Sequence, residues 1–242
     1  AKHWAFEAPI KVVPKSNRRA NRSEVIDAFI KDGFKSSKVD FAPQAERATL
    51  ARRVSLVLTG LPPELNVLEK FIHDDSPQAY SELVEVLLAN PRYGEHQARY
   101  WLDAVRYGDT HGLHLDNQRG IHPYRDWVVG ALNDNLPMDQ FIRWQLAGDL
   151  LDDPTVSQRV ATGFVRLNPS TAEGGAIAAE FQAKNNFDRT ETIGTVLLGM
   201  TLTCSRCHSH KYDPITQTEY YQLLAFFNST AESPLDGNAF IY

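Results

Sequence analysis

Apolar residues recur at helical spacing along most of this chain. From residue 21, Val25, Ile26, Phe29 and Ile30 fall at i, i+1, i+4 and i+5, with Ser23 as the expected N-cap and Gly33 as the expected stop. In LARRVSLVLTGLPP (50–63), Leu50, Val54 and Leu58 precede Gly60 and predict a second helix, although VSLVL alone reads equally as a buried strand. Ser76-Pro77 opens a third, with Tyr80, Leu83, Val84, Leu87 and Leu88 as its buried stripe and Asn90-Pro91 as its end. Residues 94–107 continue with Trp101, Leu102 and Val105 inside, and further helices are expected over 123–132, 138–151, 154–165 and 188–200. The last helix carries the clearest start, a Thr216-x-x-Glu219 capping box followed by Tyr220, Leu223, Leu224 and Phe227.

Three stretches break the period. Residues 1–20 hold two prolines and a basic cluster, and read as an extended arm that leans Trp4 and Phe6 onto the body. Residues 108–123 carry three glycines and three of the eight histidines, a loop long enough to be functional. Residues 168–180 form a second polar, glycine-bearing stretch. The expected class is mainly α: an arm (1–20), one multi-helix domain with long loops (21–230), and a tail (231–242) leading to a downstream domain.

Composition narrows the function. With 242 residues, 43% of them hydrophobic, the chain buries a substantial core. Thirty acids against 25 bases give a net charge of −5, which argues against a nucleic-acid binder. The longest run without Asp, Glu, Lys or Arg, 192–205, is shorter than the ~20 residues of a membrane span. The opening AKHWAFEAPI is no export signal, so any leader is expected outside this sequence.

The two cysteines carry the sharpest signal. Cys204-Ser205-Arg206-Cys207-His208 is the C-x-x-C-H arrangement of covalent haem c attachment. On one helical turn both sulfurs face one side, each able to form a thioether to a haem vinyl group, and His208 shares that side as proximal iron ligand. Three other readings share the spacing. A thioredoxin-like dithiol calls for a βαβ context that the helical pattern lacks. A zinc site would draw Cys204, Cys207, His208 and His210 from only seven residues, whereas zinc modules pair separated segments. A plain structural disulfide also fits.

Four longer strings carry a family resemblance: LARRVSLVLTGLPP (50–63), LLANPRYGEHQARYWLDAVRYGDTHG (87–112), YRDWVVGALNDNLPMDQFIRWQLAGDLL (124–151) and LGMTLTCSRCHSHKYDPITQTEYYQLLAFFN (198–228). They resemble the planctomycete-type cytochrome family, specifically its haem-c-motif domain of unknown function, which commonly follows a cytochrome c domain. HWAF (3–6) is similar to the segment that introduces that domain. The resemblance implies a haem-c domain of an exported, multidomain protein and brings no established reaction. Only Cys204, Cys207 and His208 carry over as functional residues. CHSHKYDP matches the family pattern CHxHKxDP and sets His210, Lys211 and Asp213 beside the haem segment. There His210 is expected to bond a propionate or touch a partner, the alternative being a solvent-facing turn residue. The backbone at Asp213-Pro214 is expected to accept the Nδ1 proton of His208. His111 stands where family members often show Asn, and His114 departs from the pattern too.

The sixth iron position is expected to be open or filled from the 108–123 loop, His111 ahead of His114. Met200 is expected to pack behind the turn, and Met138 to make a core or cap contact. The charged set Asp103, Arg106, Tyr107, Asp109, Arg125, Asp126, Asp149, Glu173, Glu180, Asp188 and Arg189 reads as ion-pair networks or, alternatively, as a polar distal pocket walled by Glu173-Gly174-Gly175. The expected function is one-electron transfer by a monohaem c-type domain outside the cytoplasm, its partner a redox protein or the adjacent cytochrome c domain. The rivals are a haem-dependent redox enzyme and a structural or binding module with a C-x-x-C disulfide.

Overall fold

The computed structural model describes residues 4–12, 22–35, 37, 39–113, 116–230 and 232–235. The chain falls into two compact units, Ala1–Glu46 and Arg47–Tyr242.

In the first unit, Trp4–Phe6 forms a short 3-10 turn closed by Glu7 N–H donating to the Trp4 carbonyl (3.1 Å). Trp4 is 78% exposed. Helix α1 spans Arg22–Phe34. It begins before Ser23 and ends at Phe34, one residue past the expected stop at Gly33. Phe34 meets the edge of Phe41 at 5.3 Å, while Ile26, Phe29 and Ile30 stay exposed.

The second unit is built from nine helices among the described residues. Helices α2 (Arg47–Thr59), α3 (Leu65–His73) and α4 (Ala79–Leu88) enclose a small core of Ala51, Phe71, Ala79, Leu83 and Leu87. The 54–58 run is helix, not strand, and Gly60 ends it at φ +73, where a side chain would be strained. Helix α3 is absent from the sequence expectation, although Leu68 and Phe71 mark its inner face. Arg47 closes α3, its Nε donating to the Phe71 carbonyl (2.9 Å) and its Nη2 to that of Asp74 (2.6 Å), a cation where the helix dipole is negative. The chain turns once after Ser76 before α4 begins at Ala79. Ala79, Leu83 and Leu87 form the buried stripe, Tyr80 and Leu88 facing solvent. Burying Leu83 contributes about 1.5–3 kcal/mol.

Helices α5 (Arg92–Ala104) and α6 (His122–Asn133) run antiparallel, since Asn133 accepts from Gly94 N–H (2.8 Å) while Trp101 Nε1 donates to Tyr124 Oη (3.0 Å). Helix α7 (Met138–Ala147) stops earlier than expected and continues as a 3-10 turn, Gly148–Leu150. The expected 154–165 helix is α8 (Val156–Ala161), capped by a Thr155/Gln158 box, then a 3-10 turn over Thr162–Arg166. These elements share the main core around Val105, Tyr124, Val128, Phe141, Phe164 and Ile193. At its centre Tyr124 Oη donates to Gln145 Oε1 (2.6 Å), satisfying the polar ends of buried aromatics.

Helix α9 (Ala178–Leu197) is the longest, starting ten residues before the expected 188. Its buried side chains include Asn185, Asn186, Arg189, Thr190 and Thr192, so its inner face is largely polar and no apolar stripe announces it. Helix α10 (Gln217–Ala225) starts at the expected capping box, Glu219 N–H donating to Thr216 Oγ1 (3.2 Å). Among the described residues there is no strand, only isolated bridges pairing Thr110 with Gln118 and Gly112 with Ser170. The class is mainly α, and no described helix is long and apolar enough to cross a membrane.

Candidate functional site

The C-x-x-C-H segment is presented by a reversal at the end of α9. Gly199 takes φ +63 and Met200 N–H returns to the Gly194 carbonyl (2.9 Å), folding the chain back along the helix. A Cβ on Gly194 would stand 2.3 Å from Leu202 Cγ, so only glycine lets the returning strand seat this close. Leu202, 2% exposed, pins the return.

Thr203–Arg206 then winds a 3-10 turn, and Cys207 N–H and His208 N–H both donate to the Cys204 carbonyl (3.3 Å each). The two residues between the cysteines face inward. Ser205 is fully buried, and Arg206 stacks 4.2 Å over the Phe187 ring while its Nε donates to Glu191 Oε1 (3.1 Å). Glu191 also accepts from Thr203 Oγ1 (3.2 Å) and Tyr220 Oη (3.1 Å), tying the turn to α9 and α10 together. Burial opposes the Arg206 charge, yet hydrogen bonding to Glu191 and Tyr220 holds its pKa above the ordinary guanidinium value. Burial in turn pushes the Tyr220 phenol up to about 12, a donor at any ordinary pH.

With Ser205 buried and Arg206 laid against Glu191 and Phe187, Cys204, Cys207 and His208 are left exposed, both cysteines as free thiols. His208 Nδ1 lies 2.8 Å from the Ser209 carbonyl, which assigns the proton to Nδ1 and leaves Nε2 with a lone pair. The tautomer-setting acceptor is thus Ser209, replacing the expected Asp213-Pro214 backbone, because the chain bends directly after His208.

His210 does not face solvent. Its side chain is 10% exposed, its Nδ1 accepts from the N–H of Asp213 (2.8 Å), and its own N–H donates to the Ile215 carbonyl (2.8 Å), closing the HSHKYDP turn. Helix α10 docks on the same segment, Gln217 Nε2 and Tyr221 Oη donating to the Arg206 carbonyl (3.2 and 3.0 Å). Gln217 and Tyr221 share an open face of α10 with Thr218, Gln222 and Ala225.

The other expected residues lie elsewhere. His111 is 1% exposed, its N–H donating to the Asn117 carbonyl (3.0 Å) and its carbonyl accepting from Ser170 N–H (2.8 Å), so it belongs to the packing of its loop against 168–171. His114 lies outside the described residues. Met200 is half-buried at the reversal, whereas Met138 is 58% exposed at the start of α7. The charged set forms ion pairs: Arg106 with Asp188, Arg125 with Asp126 (2.9 Å) and Asp109 (3.7 Å), Lys184 with Glu180 (2.5 Å), and Arg189 with Glu232. Asp103, Asp149 and Glu173 are exposed, and Glu173-Gly174-Gly175 is an exposed turn. Among the described residues no three His, Cys, Asp or Glu side chains converge to hold a metal ion. The sequence reading missed Glu191, which shares no local motif with the turn it holds.

Neither a curated protein nor a solved structure matches the chain. A family model does, over residues 25–232, a span that takes in the α9 reversal and the whole C-x-x-C-H turn. The chain belongs to that family, PSCyt2, a protein of unknown function (DUF1549).

Proposed function

We propose that this domain is a monohaem c-type module for one-electron transfer in an exported protein, with a cytochrome c domain of the same polypeptide or a separate redox protein as its partner. One observation carries the reading: Cys204, Cys207 and His208 stand exposed on a single turn whose two intervening residues are anchored inward. The residues fit the group. Cys204 and Cys207 would hold the haem through two thioethers, each formed by addition of S–H across a vinyl double bond, the hydrogen going to the other vinyl carbon, so that no oxidant would be consumed. His208, with Nδ1 engaged by Ser209, has Nε2 to offer the iron. When bound, the haem supplies a reversible Fe(III)/Fe(II) couple. Glu191 holds Arg206, and through it the spacing of the two thiols.

The C-x-x-C-H segment also supports a place outside the cytoplasm, where haem c proteins mature. The test is expression in a host with haem c maturation machinery, followed by denaturing mass spectrometry and a pyridine haemochrome spectrum. One added haem, lost in Cys204→Ala/Cys207→Ala, is expected; an unmodified mass overturns the proposal. The rival reading is a haem-dependent redox enzyme. A high-spin, ligand-accessible iron with turnover of peroxide would favour it over a carrier.

A further inference from the structure

A second charged site lies in the same unit. Arg119, Arg166 and Arg189 wall a pocket together with Asn168, Asn185 and Glu232. The Arg189 side chain is 2% exposed; its Nε donates to the Val165 carbonyl (2.6 Å), its Nη1 to Thr230 Oγ1 (3.3 Å), and its Nη2 pairs with Glu232 Oε1. The other Glu232 oxygen pairs with Arg166 Nε at 3.1 Å, so one carboxylate is held between two guanidinium groups. Arg119, 5% exposed, brings a third, its Nη1 donating to the Asn168 carbonyl (2.8 Å). Burial, then repulsion from Arg166 and Arg119, lowers the Arg189 pKa to about 10.

The cations and their counter-anion are carried very differently. Both cations sit on regular backbone, Arg189 in the middle of α9 with its side chain 2% exposed and Arg166 at the end of the Thr162–Arg166 turn with its side chain 38% exposed. A buried guanidinium needs an anion beside it. Glu232, by contrast, belongs to a non-helical stretch after α10, whose hydrogen bonds here are Asn185 Nδ2 to the Pro234 carbonyl (3.0 Å) and Ser233 Oγ to the Leu235 carbonyl (2.8 Å). The pocket is preorganised for an oxyanion, and the oxyanion it holds is on a tether. The guanidinium groups of Arg166 and Arg189 that grip the Glu232 carboxylate also match the two charges and additional lone pairs of a phosphate group.

We infer that this arginine pocket is a phosphate-binding site in which the Glu232 carboxylate is the resident stand-in: a phosphate group takes its place between Arg166 and Arg189 and frees the 232–235 segment.

The test is calorimetric titration of the full chain with inorganic phosphate at constant ionic strength, chloride making up the balance. Glu232→Gln removes the competing charge and keeps the shape, so it should bind phosphate about tenfold tighter than wild type, the factor expected if the wild-type pocket is open about a tenth of the time. Adding Arg166→Gln, at a partly exposed position, should abolish that gain. Equal affinity in wild type and Glu232→Gln, or undiminished binding with Arg166→Gln added, would overturn the site. If Glu232→Gln does not fold, Glu232→Asp keeps the charge and shortens the reach; it should also bind tighter than wild type, and failure to do so counts equally against the site. In wild type, phosphate and not chloride should speed proteolysis at 232–235, and protection there would refute the exchange.

Discussion

Arg189 and Glu191 stand two residues apart on α9 and serve opposite sides of it: Arg189 pairs with Glu232, and Glu191 receives Arg206, Thr203 and Tyr220. Two residues of helix turn a side chain by about 200°, so one helix organises both the arginine pocket and the C-x-x-C-H turn. Glu191→Ala, which strips three donors of their shared acceptor, should lower stability by about 1–3 kcal/mol in denaturant unfolding. Glu191→Gln, whose remaining oxygen still accepts from Tyr220 and Arg206 while its NH2 meets the Thr203 hydroxyl, should lose less, and equal losses would refute the shared-acceptor account.

His208 is exposed and helps no core, so His208→Ala should leave the stability of the haem-free chain within about 0.5 kcal/mol of wild type. In protein matured with haem, the same change should abolish the native Soret spectrum while the helical circular dichroism persists. An unchanged spectrum would remove His208 from the proximal position.

His111 should behave in the reverse way. Buried between its loop and residues 168–171, it should cost the haem-free chain about 1–3 kcal/mol when replaced by alanine, read from urea unfolding. A residue kept only as an iron ligand would leave haem-free stability untouched.

Gly194→Ala places a methyl group 2.3 Å from Leu202 Cγ, and relief requires the returning strand to move. The expected loss is about 1–3 kcal/mol, accompanied by faster reaction of Cys204 and Cys207 with a disulfide reagent as the turn loosens. Unaltered thiol kinetics would show that the turn does not depend on the reversal.

Acid should weaken the start of α10. Hydrogen bonds from the Thr216 backbone and hydroxyl hold the Glu219 pKa below its ordinary 4.5, so its contribution is complete above pH 4.5 and fades as pH falls through the lower folded value. Glu219→Gln should therefore flatten the stability curve below pH 4.5, as measured by thermal unfolding from pH 6 to pH 3. A curve parallel to wild type would deny the capping box that role.

What the sequence discloses follows from how local each signal is. The Thr216/Glu219 box and the Gly60 stop are written in adjacent residues, and both stand where expected. Cys204, Cys207 and His208 are equally local, and the structure puts them on one turn. The start of α9 is hidden because Asn185, Asn186, Arg189, Thr190 and Thr192 are buried through polar contacts, and a hydrophobic period cannot report a polar inner face. Glu191 with Arg206, and Arg166 with Glu232, are long-range pairs whose meaning exists only after the chain has folded.

The inward setting of Ser205 and Arg206 makes the gap between the cysteines a matter of length as well as composition. One inserted residue would rotate everything after it by about 100–120°, swinging Arg206 off Glu191 and Phe187 or else sending Cys207 into the protein. The two thiols are therefore indexed to α9 by a gauge of two residues: substitutions at Ser205 that stay small and buried keep their registration, and a lengthened C-x-x-x-C cannot.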